Sequence, residues 1–108
     1  MSTTSTAKVP TTSASRYLQQ VCKHWQHNLE VTFDEAQGRI VFPRDARGAS
    51  WAGDAVVTFV ATPGTLDCTI AASEPDQLEG IKDAVARHID RFAFREAPLA
   101  FDWIDATE

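Results

Sequence analysis

SRYLQQVCKHWQHNLEVTF, Ser15 to Phe33, changes its period halfway along. Up to Trp25 the apolar side chains recur at spacings of three and four: with Ala14 just upstream, Tyr17, Leu18, Val21, Cys22 and Trp25 fall on one face of a helix. From Leu29 onward Leu29, Val31 and Phe33 alternate with Glu30, Thr32 and Asp34, the signature of a strand with one buried face. A helix feeding directly into a half-buried strand excludes an all-helical bundle and an all-strand sandwich. The spacing predicts a helix over Ala14 to His27. The Ser13 hydroxyl is placed to cap its first turn, and Asn28, which tolerates the left-handed conformation, is placed to end it.

Working outward, Asp34 to Gly38 reads as a turn in which Gly38 supplies positive φ. Arg39 to Phe42 is the returning strand, stopped by Pro43, which has no N–H for a ladder. Arg44 to Gly53 is an irregular loop carrying an isolated Trp51. Ala55 to Thr62, AVVTFVAT, is rich enough in β-branched residues for a strand. Leu66, Cys68, Ile70 and Ala72 alternate beyond Pro63-Gly64, which suits a type II turn. Ser73 can cap a second helix with Pro75 in its first turn, and Leu78, Ile81, Val85, Ile89 and Phe92 form its buried stripe. Gly80 costs that helix up to about 1 kcal/mol relative to Ala, which points to close packing there. Pro98 ends the segment, and Leu99, Phe101 and Trp103 alternate as a last strand.

The Ser/Thr-rich start reads as a flexible leader over residues 1–12, disordered at least through Ser5, with Ala7 and Val9 allowing a short first strand. Residues 13–105 form a single domain and 106–108 a tail. The order (β)α-ββ-ββ-αβ predicts an α+β fold, two helices packed on one face of a mostly antiparallel sheet.

A chain of 108 residues supports one modest core. Its 15 acidic and 10 basic residues leave a net charge of −5, which argues against a nucleic-acid partner. No apolar run reaches the roughly 18 residues of a membrane span, and MSTTSTAKVP has no secretory apolar segment. A cytoplasmic location without a membrane partner is the expectation. Cys22 and Cys68 both fall at apolar positions and read as reduced core thiols. The chain has no phosphate-cradling Gly-rich loop, no HExxH and no cysteine-pair motif, so nothing in it requires a cofactor.

The histidines are the chemically distinctive residues. On a wheel of about 100° per residue, Tyr17, Gln20, His24 and His27 stack along one edge of the first helix. His88 lies at the border of the second helix's stripe, with Ala84, Arg91 and Arg95 on its side. If the two helices are neighbours, these edges can face each other. Tyr17, His24, His88, Arg91 and Arg95 are therefore the candidate ligand-binding residues, the arginines gripping a carboxylate or phosphate one turn apart. His24, His27 and His88 are also a candidate metal set, since three or four ligands at about 2.0–2.3 Å make a zinc site. Cys22 points about 160° away from His24 on the wheel and cannot easily join them.

SRYLQQVCKHWQHNLEVTFDEAQGRIVF and HIDRFAFREAPLAFDW, spanning about Ser15 to Trp103, resemble a bacterial family catalogued as domain of unknown function 2218. The stretch Arg44 to Gly64 departs from the pattern, and nothing is carried over there. The resemblance implies no established activity. It implies an association with iron and siderophore genes, and so a small anionic ligand or a siderophore-related protein as partner. A non-catalytic ligand-binding or accessory domain is the favoured class. A small metal-dependent enzyme and a protein-interaction module using Trp51 or an exposed strand edge are the alternatives.

Overall fold

The computed structural model describes residues 3–45, 50–97 and 99–107. Eight elements follow one another: β1 (Thr3–Pro10), α1 (Ala14–Trp25), β2 (Glu30–Phe33), β3 (Gln37–Phe42), β4 (Ala55–Ala61), β5 (Thr65–Ala72), α2 (Pro75–Phe92) and β6 (Ile104–Thr107). The six strands make one sheet in the order β2-β3-β4-β5-β1-β6, every neighbouring pair antiparallel. Helix α1 lies over β2 to β5, while α2 covers β5 and β1 and touches α1. This is the α+β arrangement the alternating periods imply.

The two sheet faces differ as the period of two requires. Across the helix side, register aligns Phe33, Gly38, Phe59, Cys68 and Ala7. Phe59, Ile40, Val57, Leu66 and Ile70 are completely buried against Leu18, Val21, Val85 and Ile89. Across the open side the neighbouring row is Thr32, Arg39, Thr58, Thr69 and Thr6. Threonine supplies β-branched strand preference without an apolar surface, so this face needs no cover.

Gly38 sits inside β3, with no positive φ, and its role is close approach. A Cβ there would lie 2.7 Å from Cys22 Sγ and 3.3 Å from Phe33 Cβ. The Cys22 thiol occupies the space a side chain would take, and burial pushes its pKa up to about 12, so it is a packing group and not a nucleophile. Both cysteines are free and buried. Gly38→Ala is expected to cost about 1–3 kcal/mol through overpacking. In a double-mutant cycle Cys22→Ala should recover part of that loss; additive urea midpoints would show that the contact is relieved elsewhere.

Four expectations are corrected. Thr3–Pro10 is not a leader: it is an eight-residue strand flanked by β5 and β6. The last strand is Ile104–Thr107, not the alternation at Leu99 to Trp103, so residues 106 and 107 belong to the sheet. Leu99, Phe101 and Trp103 instead pack on the core as an irregular segment. Ser13 stands at the N-cap of α1 but its hydroxyl makes no cap hydrogen bond, and the N-cap of α2 is Glu74, not Ser73. The Ser13 N–H is taken by Thr11 Oγ1 at 3.1 Å, and Ser73 is engaged by Gln77, whose Oε1 accepts its N–H at 2.7 Å. Gly64 has no positive φ, so Pro63-Gly64 is not a type II turn; the Thr62 hydroxyl accepts the Thr65 N–H and closes the hairpin. The Pro98 stop falls outside the described residues.

Strand β6 is fastened by charge. Lys82 Nζ, on α2 and nearly buried, lies 2.7 Å from Asp105 Oδ1 and 2.8 Å from Glu79 Oε2. Ser5 Oγ donates to the same Asp105 oxygen at 2.6 Å. Lys82 and then Ser5 hold the Asp105 carboxyl below its ordinary value of 3.8. A carboxylate lowered on folding contributes stability above that ordinary value and loses it as pH falls through the lowered one. Asp105→Asn should therefore lower Tm at neutral pH, with the gap to the parent closing in acid; a gap constant with pH would contradict this.

Candidate functional site

The C-terminal half of α1 and the middle of α2 meet at an aromatic seam. The His24 and His88 rings have centroids 5.2 Å apart, Trp25 and His88 4.7 Å, and His24 and Phe92 6.0 Å. This is the facing of helix edges that their apolar stripes imply. Trp25 is fixed from the other side by Phe42 of β3, edge-on with centroids 5.2 Å apart. His88 Nδ1 lies 2.6 Å from the Ala84 carbonyl oxygen. A carbonyl only accepts, so Nδ1 carries the proton of this bond.

Beside the seam lies a groove of about 630 Å3. Trp25, Phe42 and Pro43 line it together with Leu29, Ile81 and Ala84, and Asn28, Arg87 and His88 supply the polar groups. Gly80 also lines it, and a Cβ built there would meet nothing within 4 Å. The glycine in mid-helix is thus not a close-packing device, as its cost alone suggests, but an open place in a groove wall. Arg87 Nε is held by Asp83 Oδ2 at 2.8 Å, one turn back on the exposed side of α2.

The other candidate residues divide. Tyr17 is buried, and its hydroxyl donates to Glu96 Oε2, which first of all raises the phenol's pKa above 10.0. Glu96 also accepts from the Thr11 hydroxyl at 3.1 Å. Arg91 and Arg95 are not one helical turn apart: α2 ends at Phe92, and Arg95 lies in the following turn, where Glu96 and Ala97 donate to the Ala93 carbonyl. Asp90 does not pair with an arginine; its Oδ1 accepts the Leu99 N–H at 3.0 Å. Arg95 meets Tyr17 in a smaller cavity, which Arg16 from α1 completes. His27 is exposed in the turn after α1. Among the described residues no three His, Cys, Asp or Glu side chains are grouped to hold a metal ion, so the structure does not assemble His24, His27 and His88 as a ligand set.

Sequence reasoning did not reach the groove itself. Its walls come from α1, the β3 end and α2, and Leu29, Phe42 and Pro43 read only as strand residues. Trp51, the open question of the loop, is half-buried, with its N–H donating to the Arg44 carbonyl at 3.0 Å. Residues 46–49 of that loop lie outside the described set.

Among the described residues no helix is long and apolar enough to cross a membrane. None of the curated proteins compared with the chain matches it. The fold is similar to the NMR structure of PA4090 from Pseudomonas aeruginosa, at a TM-score of 0.63 and 27% identity over 97% of this chain and 94% of that one. Residues 6–104 match a family described as an uncharacterized protein conserved in bacteria, DUF2218, and that span includes both helices, the aromatic seam and the groove. On the strength of that match, the chain belongs to DUF2218.

Proposed function

We propose that the chain is a non-catalytic ligand-binding domain whose groove receives a planar, largely apolar ring system carrying oxygen or anionic substituents. The observation that carries this reading is the groove of about 630 Å3 walled by Trp25 and Phe42, with Gly80 left open in the middle of α2. Its size lies in the roughly 300–1,000 Å3 range of small-molecule sites, and so does its mix of apolar walls with a few polar groups. Phe42 offers ring surface beside the nearly buried Trp25, while Asn28 and the Arg87 guanidinium, held at its Nε by Asp83, are placed to meet oxygen atoms. Aromatic, oxygen-rich iron chelators have this chemistry, and the siderophore link that the family resemblance implies makes them the first class to screen.

Gly80 supplies the test. Gly80→Ala should stabilise the protein by about 0.5–1 kcal/mol, because an exposed helical glycine is replaced by the best helix former. Gly80→Leu should fold equally well while filling the groove. Catecholate and phenolate chelators, apo and ferric, are expected to raise Tm of the parent and of Gly80→Ala. The Gly80→Leu protein should not respond. An equal response in all three proteins would place binding elsewhere, and no response to any of the chelators would remove them as the ligand class.

A further inference from the structure

A second cavity, of about 130 Å3, opens at the other end of the helix pair and is lined by Arg16, Tyr17, Phe92, Phe94 and Arg95. It shares no lining residue with the groove, so it stands independently of the reading above. Three of its five walls are aromatic and the other two are guanidinium groups brought together from opposite ends of the chain. Neither Arg16 nor Arg95 forms an ion pair with another described residue. The nearby Glu96 carboxylate is occupied by the Tyr17 and Thr11 hydroxyls. Arg95 Cζ stands 5.7 Å from the centroid of the Phe94 ring, a cation–π contact that orients the guanidinium beside an aromatic face. Phe94 itself is 72% exposed, a large ring left at the surface without a partner in the core.

We propose that this pocket binds a small planar carboxylate, its ring against Phe92 and Phe94 and its carboxylate held by Arg16 and Arg95. At about 130 Å3 the cavity has room for no more than a single small ring, so the carboxylate stays at its mouth beside the exposed arginines. The donor set fits, because the planar guanidinium fork matches a carboxylate with two parallel hydrogen bonds and also stacks on aromatic faces. A bare tetrahedral anion would use the two arginines and leave the aromatic walls without a role.

The experiment is an NMR titration of the full chain with sodium benzoate, and separately with inorganic phosphate at matched ionic strength. Benzoate is expected to move the backbone resonances of Arg16, Tyr17, Phe94 and Arg95. In the Arg16→Gln/Arg95→Gln double variant its affinity should fall by about tenfold or more, the loss of a charge-assisted pair. Arg91→Gln removes a positive charge from the same helix end without touching the pocket, and should leave the affinity within about twofold. Both arginines lie on the surface, so the variants keep the fold, which their spectra verify. The proposal is overturned if benzoate moves none of these resonances, if phosphate moves them equally well, or if Arg91→Gln weakens binding as much as the double variant.

Discussion

A chain lacking residues 1–10 is expected not to fold. Within them Thr3–Pro10 is β1, which pairs with β5 from Thr3↔Ala72 to Pro10↔Thr65 and with β6 from Thr3↔Thr107 to Thr6↔Ile104. Deleting them removes Ala7 and Val9 from the core, detaches β6, and exposes the edge of β5 under α2. Burial of one Val is worth about 1.5–3 kcal/mol, and each lost ladder bond about 0.5–1.5 kcal/mol. The sum over an internal strand reaches the about 5–15 kcal/mol that separates a folded domain from its unfolded chain. The truncated protein should show a collapsed amide spectrum and no cooperative melt. A dispersed spectrum with a cooperative transition would mean that the remaining five strands close without β1.

Replacing Gln77 by Leu should cost about 1–3 kcal/mol, the penalty for leaving the part-buried Ser73 N–H without its partner. Gln77 is 3% exposed at the start of α2. Its Oε1 accepts the Ser73 N–H at 2.7 Å and lies 2.6 Å from the Ser73 hydroxyl, and its Nε2 donates to the Gly53 carbonyl at 2.9 Å. One amide therefore joins the end of β5, the first turn of α2 and the end of the loop before β4. Leu matches its bulk but makes none of these hydrogen bonds, so the Ser73 N–H is left without its partner, while the Gly53 carbonyl keeps the Ser73 hydroxyl at 3.2 Å. The measurement is a urea midpoint at unchanged slope. A loss below about 0.5 kcal/mol, the level of ordinary surface changes, would show that solvent replaces the amide.

What the sequence revealed depended on how apolar the buried face was. Helix α1, the strands β2 to β5 and the stripe of α2 all bury Leu, Ile, Val, Phe or Cys, and their periods were plain. Strand β1 has the same period of two, with Thr3, Ser5, Ala7 and Val9 inward. Its buried end, however, uses small hydroxyl residues whose side chains donate to β6: Thr3 to the Ala106 carbonyl and Ser5 to the Asp105 carboxylate. A strand that buries hydroxyls on partner oxygens has the composition of a disordered tail. The reverse error occurred at Leu99 to Trp103, where alternation reflects three apolar side chains packing on the core without a ladder. At the site, the facing of His24 and His88 was legible because both lie at the borders of strong helical stripes. The arginine pair was not, because Phe94 prolongs the apolar pattern past the point where the backbone leaves the helix at Ala93. The groove left a single trace, Gly80, whose expense to the helix is visible in sequence while its surroundings are not.

The position of β1 within the sheet also bears on biosynthesis. A ribosome delivers Thr3–Pro10 ahead of the seven elements that follow it here, yet both of its neighbours are made later: β5 after β2, β3 and β4, and β6 after α2. The Thr3 hydroxyl and its acceptor on Ala106 stand 103 positions apart. Until β5 has emerged, the nascent chain carries a strand with nothing to pair against. Its hydroxyl-rich composition suits that interval, since an apolar strand left waiting would be a template for aggregation. The serines and threonines that disguise β1 in the sequence also give it the low apolar content that suits an unpaired strand.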